Sequence, residues 1–225
     1  MARLQGRTVL AGLIAALLVA AVVGIAIHHP ARRHPSAGGA TTTTTLRPGP
    51  NGFATLSEPV DLLTLAVPVD WTVAPTAPLV LPKVLDQLAV VDPQLAPLLK
   101  AESMAANEGA VRLFAYTTTP STVYAAILSY SSPGTPAITE ASAAGFSSFN
   151  RHTATVSIEF STVQLPAGLG LRVRSVSTDR GVRVAYENLA VLNAGRTVLL
   201  QLAADVTSLA IPPIFAQIES SLRFS

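Results

Sequence analysis

The sequence predicts an α+β fold, an antiparallel β-sheet packed with helices and preceded by one transmembrane helix. Three observations carry that expectation. An uncharged apolar run extends from Thr8 to Ile27, strands of alternating polarity fill the second half, and helical spacings punctuated by proline lie before and after them.

The apolar run comes first. Twenty helical residues rise about 30 Å, the thickness of a hydrocarbon core. Arg3 and Arg7 precede the run, and Arg32 and Arg33 follow it. A cleavable export signal has a shorter apolar region closed by small residues. Here His28-His29-Pro30-Ala31-Arg32-Arg33-His34 follows instead, so residues 1–7 read as a short tail and 8–27 as a retained anchor. Secretion after signal cleavage is the alternative. The chain has no cysteine, which rules out a lipid-modified Cys as tether.

Residues 28–52 are rich in Pro, Gly, Ser and Thr, with five consecutive threonines from Thr41 to Thr45. Such a composition cannot bury a core and suits a stalk outside the cell. Arginines near the two span ends are balanced, so the stalk decides the expected orientation: a single-pass cell-membrane protein with its C-terminal domain extracytoplasmic.

The domain is expected over residues 53–225, long enough for a sizeable core. It holds ten basic and all thirteen acidic residues, a formal charge of −3. Nucleic acid requires a basic surface for its phosphates, so nucleic acid is not an expected partner.

Within the domain, Leu62 to Val67 reads as a strand closed by Pro68 and Trp71. Val84, Leu85, Leu88 and Val91, then Leu95, Leu98 and Leu99, space as helical faces. Pro93 and Pro97 divide them into two short helices, with Asp92 capping the second. Val111 to Tyr116 and Val123 to Tyr130 are strands around a Thr/Pro turn, and Ile138 to Phe149 is a short helix. Val156, Ile158 and Phe160 alternate with polar residues, as do Leu171 and Val173 beyond the turn Leu165-Pro166-Ala167-Gly168. Asp179-Arg180-Gly181 and Asn193-Ala194-Gly195 supply hairpins into strands around Val182 to Glu187 and Thr197 to Ala203. Pro212-Pro213 opens a last helix with Ile214, Phe215, Ile218 and Leu222 as its stripe.

Two segments carry a family resemblance. Val67-Pro68-x-x-Trp71 resembles the opening of PsbP-like domains. The strand Val198 to Asp205, followed by Phe215-x-x-Ile218-x-x-Ser221-Leu222-Arg223-Phe224, is similar to their ending and to actinobacterial LpqN-type envelope proteins. The resemblance covers most of residues 60–225 in element order. It implies a PsbP-like α/β/α sandwich and a non-catalytic binding or accessory role, with no catalytic residues to carry over. LpqN-type proteins are usually lipidated at a Cys, which this chain lacks.

Candidate chemistry is sparse. His28, His29 and His34 lie in the stalk without metal-site spacing, leaving His152 alone in the domain. A hydrolase would need His152 as base with Ser147, Ser148 or Ser157 and Glu159 or Asp179, yet no Gly-x-Ser-x-Gly elbow occurs. Gly168-Leu169-Gly170 is only a fragment of a phosphate-binding loop, since Val173 fills the third glycine site. No cofactor or metal is expected. Arg172, Arg174 and Arg183 form a candidate anion-reading face on adjacent strands, or a solvated surface with cross-strand ion pairs. Leu81, Leu88, Leu95, Leu98, Leu99 and Met104 form a candidate apolar ligand or partner surface if the helices stand off the sheet, and otherwise belong to the core.

The expected function is a membrane-anchored, non-enzymatic binding or accessory module of the bacterial cell envelope, engaging a protein partner or a lipid. The alternatives are the His152 hydrolase and a purely structural subunit of a membrane complex.

Overall fold

Strand alternation and proline placement account for most of the chain path. The structure is a computed structural model that describes residues 45–49, 52–131, 138, 150–152, 156–166, 168–179, 182–193, 196–208 and 210–224. In chain order the strands are β1 Thr45–Pro48, β2 Phe53–Glu58, β3 Leu63–Pro68, β4 Thr72–Ala74, β5 Val111–Thr117, β6 Val123–Ser131, β7 Asn150–His152, β8 Val156–Leu165, β9 Gly168–Asp179, β10 Val182–Asn193, β11 Arg196–Asp205 and β12 Arg223–Phe224. The helices are α1 Leu81–Val91, α2 Ala96–Asn107 and α3 Pro213–Ser221.

Eight strands form one antiparallel sheet in the order β4-β5-β6-β11-β10-β9-β8-β7, and four form a second in the order β1-β2-β3-β12. The class is therefore α+β, antiparallel sheets packed with helices, as expected. Register defines the faces of the large sheet. The row Tyr124, Ala203, Tyr186, Ser175, Ile158 lies on the face toward α1 and α2. The row Ile127, Leu200, Leu189, Arg172, Ser161 lies on the face toward the small sheet and α3. Because both faces of β11 are covered, Val198 to Ala204 is buried without interruption.

Each face has its own core. Leu81, Leu85, Leu88, Leu95 and Leu99 close over Phe114, Tyr124, Ala126 and Leu199. Opposite them, Leu56, Leu65, Val67, Phe215, Ile218 and Leu222 close over Leu113, Ile127, Leu189 and Leu200. Burying each such leucine or phenylalanine contributes about 1.5–3 kcal/mol of transfer free energy.

Three expectations are corrected. The stalk was bounded at residue 52, but Thr45–Pro48 pairs antiparallel with Ser57–Ala54, so a sheet strand begins inside the threonine run. A β-branched residue at the end of a polar tract serves an edge strand as readily as a stalk. The strand expected from Leu62 starts at Leu63, because Leu62 occupies the preceding turn with φ of 52°. The Glu58 carboxylate orders that turn by accepting from the amides of Val60 at 3.0 Å and Asp61 at 2.6 Å. Finally, the second outer layer is a four-stranded sheet plus α3 rather than a helical layer. The expected helix from Ile138 to Phe149 falls, apart from Ile138, outside the described residues, as does the whole Thr8–Ile27 run. Among the described residues no helix is long and apolar enough to cross a membrane.

Candidate functional site

The α1–α2 hairpin takes its shape from prolines and one carboxylate. Each helix carries a proline in its first turn, where a missing amide costs least. Pro93 stands in the link, and Asp92 Oδ1 accepts from the amides of Gln94 at 3.1 Å and Leu95 at 3.4 Å. The expected break is present, but Asp92 does not cap α2: Leu95 stands at the N-cap without a side-chain hydrogen bond, and Asp92 closes the end of α1 and orders the link instead.

The structure divides the expected apolar surface. Leu81, Leu88, Leu95 and Leu99 are buried against the sheet, and Leu98 packs partly buried beside them. They fill the space between helices and sheet. Met104 is 61% exposed, and so, in α1 or just before it, are Leu79 at 82%, Val80, Val90 at 80% and Val91 at 65%.

Beneath α2 lies a polar cluster that sequence reasoning missed. Glu102 is 2% exposed and reaches the sheet between Tyr124 and Gln201. The Tyr124 hydroxyl stands 3.5 Å from Glu102 Oε1. The Gln201 amide nitrogen donates to Oε1 at 2.8 Å and lies 3.2 Å from Oε2, and its carbonyl accepts from the Tyr186 hydroxyl at 2.6 Å. Asn188 follows on the same row as Gln201. Burial pushes the Glu102 carboxyl up to about 8, and the Tyr124 hydroxyl offsets only part of that rise. The phenols of Tyr124 and Tyr186 are raised for the same first reason, with the charge of Glu102 adding to it. Tyr130, less deeply set, is pushed up to about 12. A signal for Glu102 was present in the sequence: Leu95, Leu99, Glu102 and Ala106 repeat at helical spacing, which sets a charge on an apolar stripe.

The opposite face holds the arginines. Arg172 Nη1 meets Glu219 Oε1 of α3 at 3.1 Å, and Arg172 Nε donates to Ser161 Oγ at 3.0 Å. Arg174 Nε meets the fully buried Glu187 at 2.5 Å, and its Nη2 lies 3.6 Å from Glu219. Burial holds the Glu187 carboxyl up to about 8; the neighbouring Glu219 carboxyl adds to that, and Arg174 draws it back only partly. Both arginines thus join α3 to the sheet through internal ion pairs. Arg183 is apart from them and donates to the Thr207 carbonyl. A further pair of arginines pins the turn after β2: Asp61 meets Arg196 at 2.5 Å and Arg112 at 3.6 Å.

His152 sits in β7 at the outer edge of the large sheet, opposite Ser157 in register. Glu159 is two residues along the same face, and both Ser157 and Glu159 are exposed. Ser147 and Ser148 lie outside the described residues. Comparison with protein-family models gives no match, and comparison with curated proteins gives no significant match.

Proposed function

We propose that this chain is a non-enzymatic accessory module of the bacterial cell envelope, anchored by Thr8–Ile27, whose extracytoplasmic α+β domain binds a protein partner through the exposed side of the α1–α2 hairpin. One observation carries the reading. Large apolar side chains at 79, 80, 90, 91 and 104 remain exposed on a hairpin whose inward leucines are already satisfied by the sheet. Large apolar side chains left exposed on a small domain favour association.

Chemistry selects the class of partner. A lipid chain would need space between helices and sheet, and the leucines occupy it themselves. A membrane surface would favour a basic polar face around the apolar residues. The exposed charges of the hairpin, Lys83, Asp86, Lys100 and Glu108, are two of each sign. That mixture suits a protein surface. With β1 starting at Thr45, the seventeen residues from 28 to 44 allow a reach of at most about 60 Å from the bilayer, so the partner is expected within that distance.

The test is in-cell photocrosslinking from position 90 and, as a control, from Gln217, which is exposed on α3. The reading expects one protein adduct of defined mass from position 90, absent from 217 and lost when Val91→Asp is added. Equal labelling from both positions, or an adduct of twice the chain mass, would overturn it.

A further inference from the structure

We propose that the turn between β2 and β3 seats on the bilayer, with Val60 and Leu62 entering its interfacial layer and nearby arginines meeting anionic headgroups. The proposal rests on the anchored reading above and gives the same domain a second contact.

The turn is fixed by buried charge. Glu58 is 1% exposed, and its carboxylate accepts from the amides of Val60 and Asp61. Asp61, itself buried, is held by Arg196 of β11 at 2.5 Å and Arg112 of β5 at 3.6 Å. The large sheet thus clamps the turn of the small one. Burying a carboxylate is costly even when it is paired. What the clamped turn shows to solvent is apolar: Val60 is 53% exposed and Leu62 57%. Leu62 also holds a φ of 52°, left-handed backbone that glycine or asparagine adopts at lower cost. A leucine there adds strain and buries less than half of itself in the fold. Its side chain is explained by a contact outside the domain.

Charge and connectivity select the bilayer as that contact. In the described small sheet and its β2–β3 turn the acids are Glu58 and Asp61, both buried, and the cations are Arg47 and Arg223, both exposed. Arg47 lies in register with Thr55 and Ala66, and Arg223 with Thr64, which sets both arginines on the face away from the core. Arg112 and Arg196 keep 26% and 31% of their side chains exposed, against 1% for Asp61. The charge that solvent meets beside the turn is therefore positive, the complement of anionic lipid. Thr45 pairs with Ser57 and Pro48 with Ala54, so the chain coming from Thr8–Ile27 joins the small sheet at the end that carries the turn. A tether raises the local concentration of the end it enters. Val69, the exposed apolar residue of the β3–β4 turn, stands at the far end of β3, about 20 Å away.

The chain has no cysteine, so single probes can be placed. Full-length Leu62→Cys and Val69→Cys, each carrying an NBD fluorophore, are reconstituted into nanodiscs of phosphatidylglycerol and phosphatidylcholine, with and without a lipid bearing a nitroxide near its headgroup. The probe at 62 is expected to lose about half its emission or more to the nitroxide lipid, and the probe at 69 almost none. The loss at 62 should shrink in discs of phosphatidylcholine alone. Val60→Cys gives a second reading of the same turn. Equal quenching at 62 and 69, no quenching at 60 and 62, or a loss indifferent to the anionic lipid overturns the proposal. So does shielding of position 62 from aqueous iodide that arises only in native membranes and without lipid quenching, since a protein would then cover the turn. A chain that stays out of the discs removes the anchor and this contact together. A chain that enters them without quenching at the turn removes this contact alone.

Discussion

Glu102 and Glu187 are carboxyls buried on opposite faces of one sheet, and they differ in what stands across from them. Glu187 has the Arg174 guanidinium, and Glu102 has an amide and phenols. Both are pushed up to about 8 with burial as the first cause, but only Glu102 lacks a described cation that could take over its proton's work. The folded chain therefore keeps a proton on Glu102 at pH values where the unfolded chain has released it. A raised acid of this kind leaves stability intact below about pH 4.5 and erodes it as pH rises toward 8, by about 1.4 kcal/mol per unit. Glu102→Gln removes that slope, so the variant should match wild type near pH 4.5 and exceed it by about 3 kcal/mol at pH 7. Urea unfolding midpoints across this range provide the check, and parallel curves for the two proteins would contradict the assignment.

At the scale of elements, what could be read in advance depended on whether one face or two were covered. The helices α1 and α2 were legible because Pro93 and Pro97 mark their boundary and leucines their inner stripe. Strands β8 to β11 were legible from alternation and from hairpin residues between them. Alternation failed, however, to say which phase faces a core. On β10 the neighbours Tyr186 and Glu187 point to opposite faces and are both buried, because the sheet is covered on each side. Pairing the arginines with particular acids was beyond the sequence, since Glu219 is 47 residues from Arg172. That network now makes a prediction about α3. Arg174→Met strands Glu187 and Glu219 beneath the helix and should cost about 2–4 kcal/mol, the range for breaking a buried pair reduced by the proton Glu187 carries. Adding Glu187→Gln should restore at least half of that loss. A double-mutant cycle by urea unfolding measures the coupling, and strictly additive single effects would contradict the network.

At the scale of the whole molecule the question is where the folded body begins, because that point sets both its stability and its distance from the proposed anchor. Composition sets the boundary at residue 52, whereas pairing carries the described sheet back at least to Thr45. The difference is physical. β1 covers the outer edge of β2, whose Ala54, Leu56 and Glu58 face the core that the small sheet shares with α3. Without β1 that edge would present free amides and carbonyls beside an alternating apolar strand, the arrangement that invites pairing between chains. A chain starting at residue 53 gives up the net contribution of the β1–β2 hydrogen bonds, each about 0.5–1.5 kcal/mol, together with that protection. A chain starting at residue 41 keeps both. The shorter chain should therefore unfold about 2–4 kcal/mol more easily in urea, and light scattering should show it associating as concentration rises. Equal midpoints and equal scattering would mean that the threonine run belongs to the tether after all, and the reach of the domain from the bilayer would lengthen accordingly.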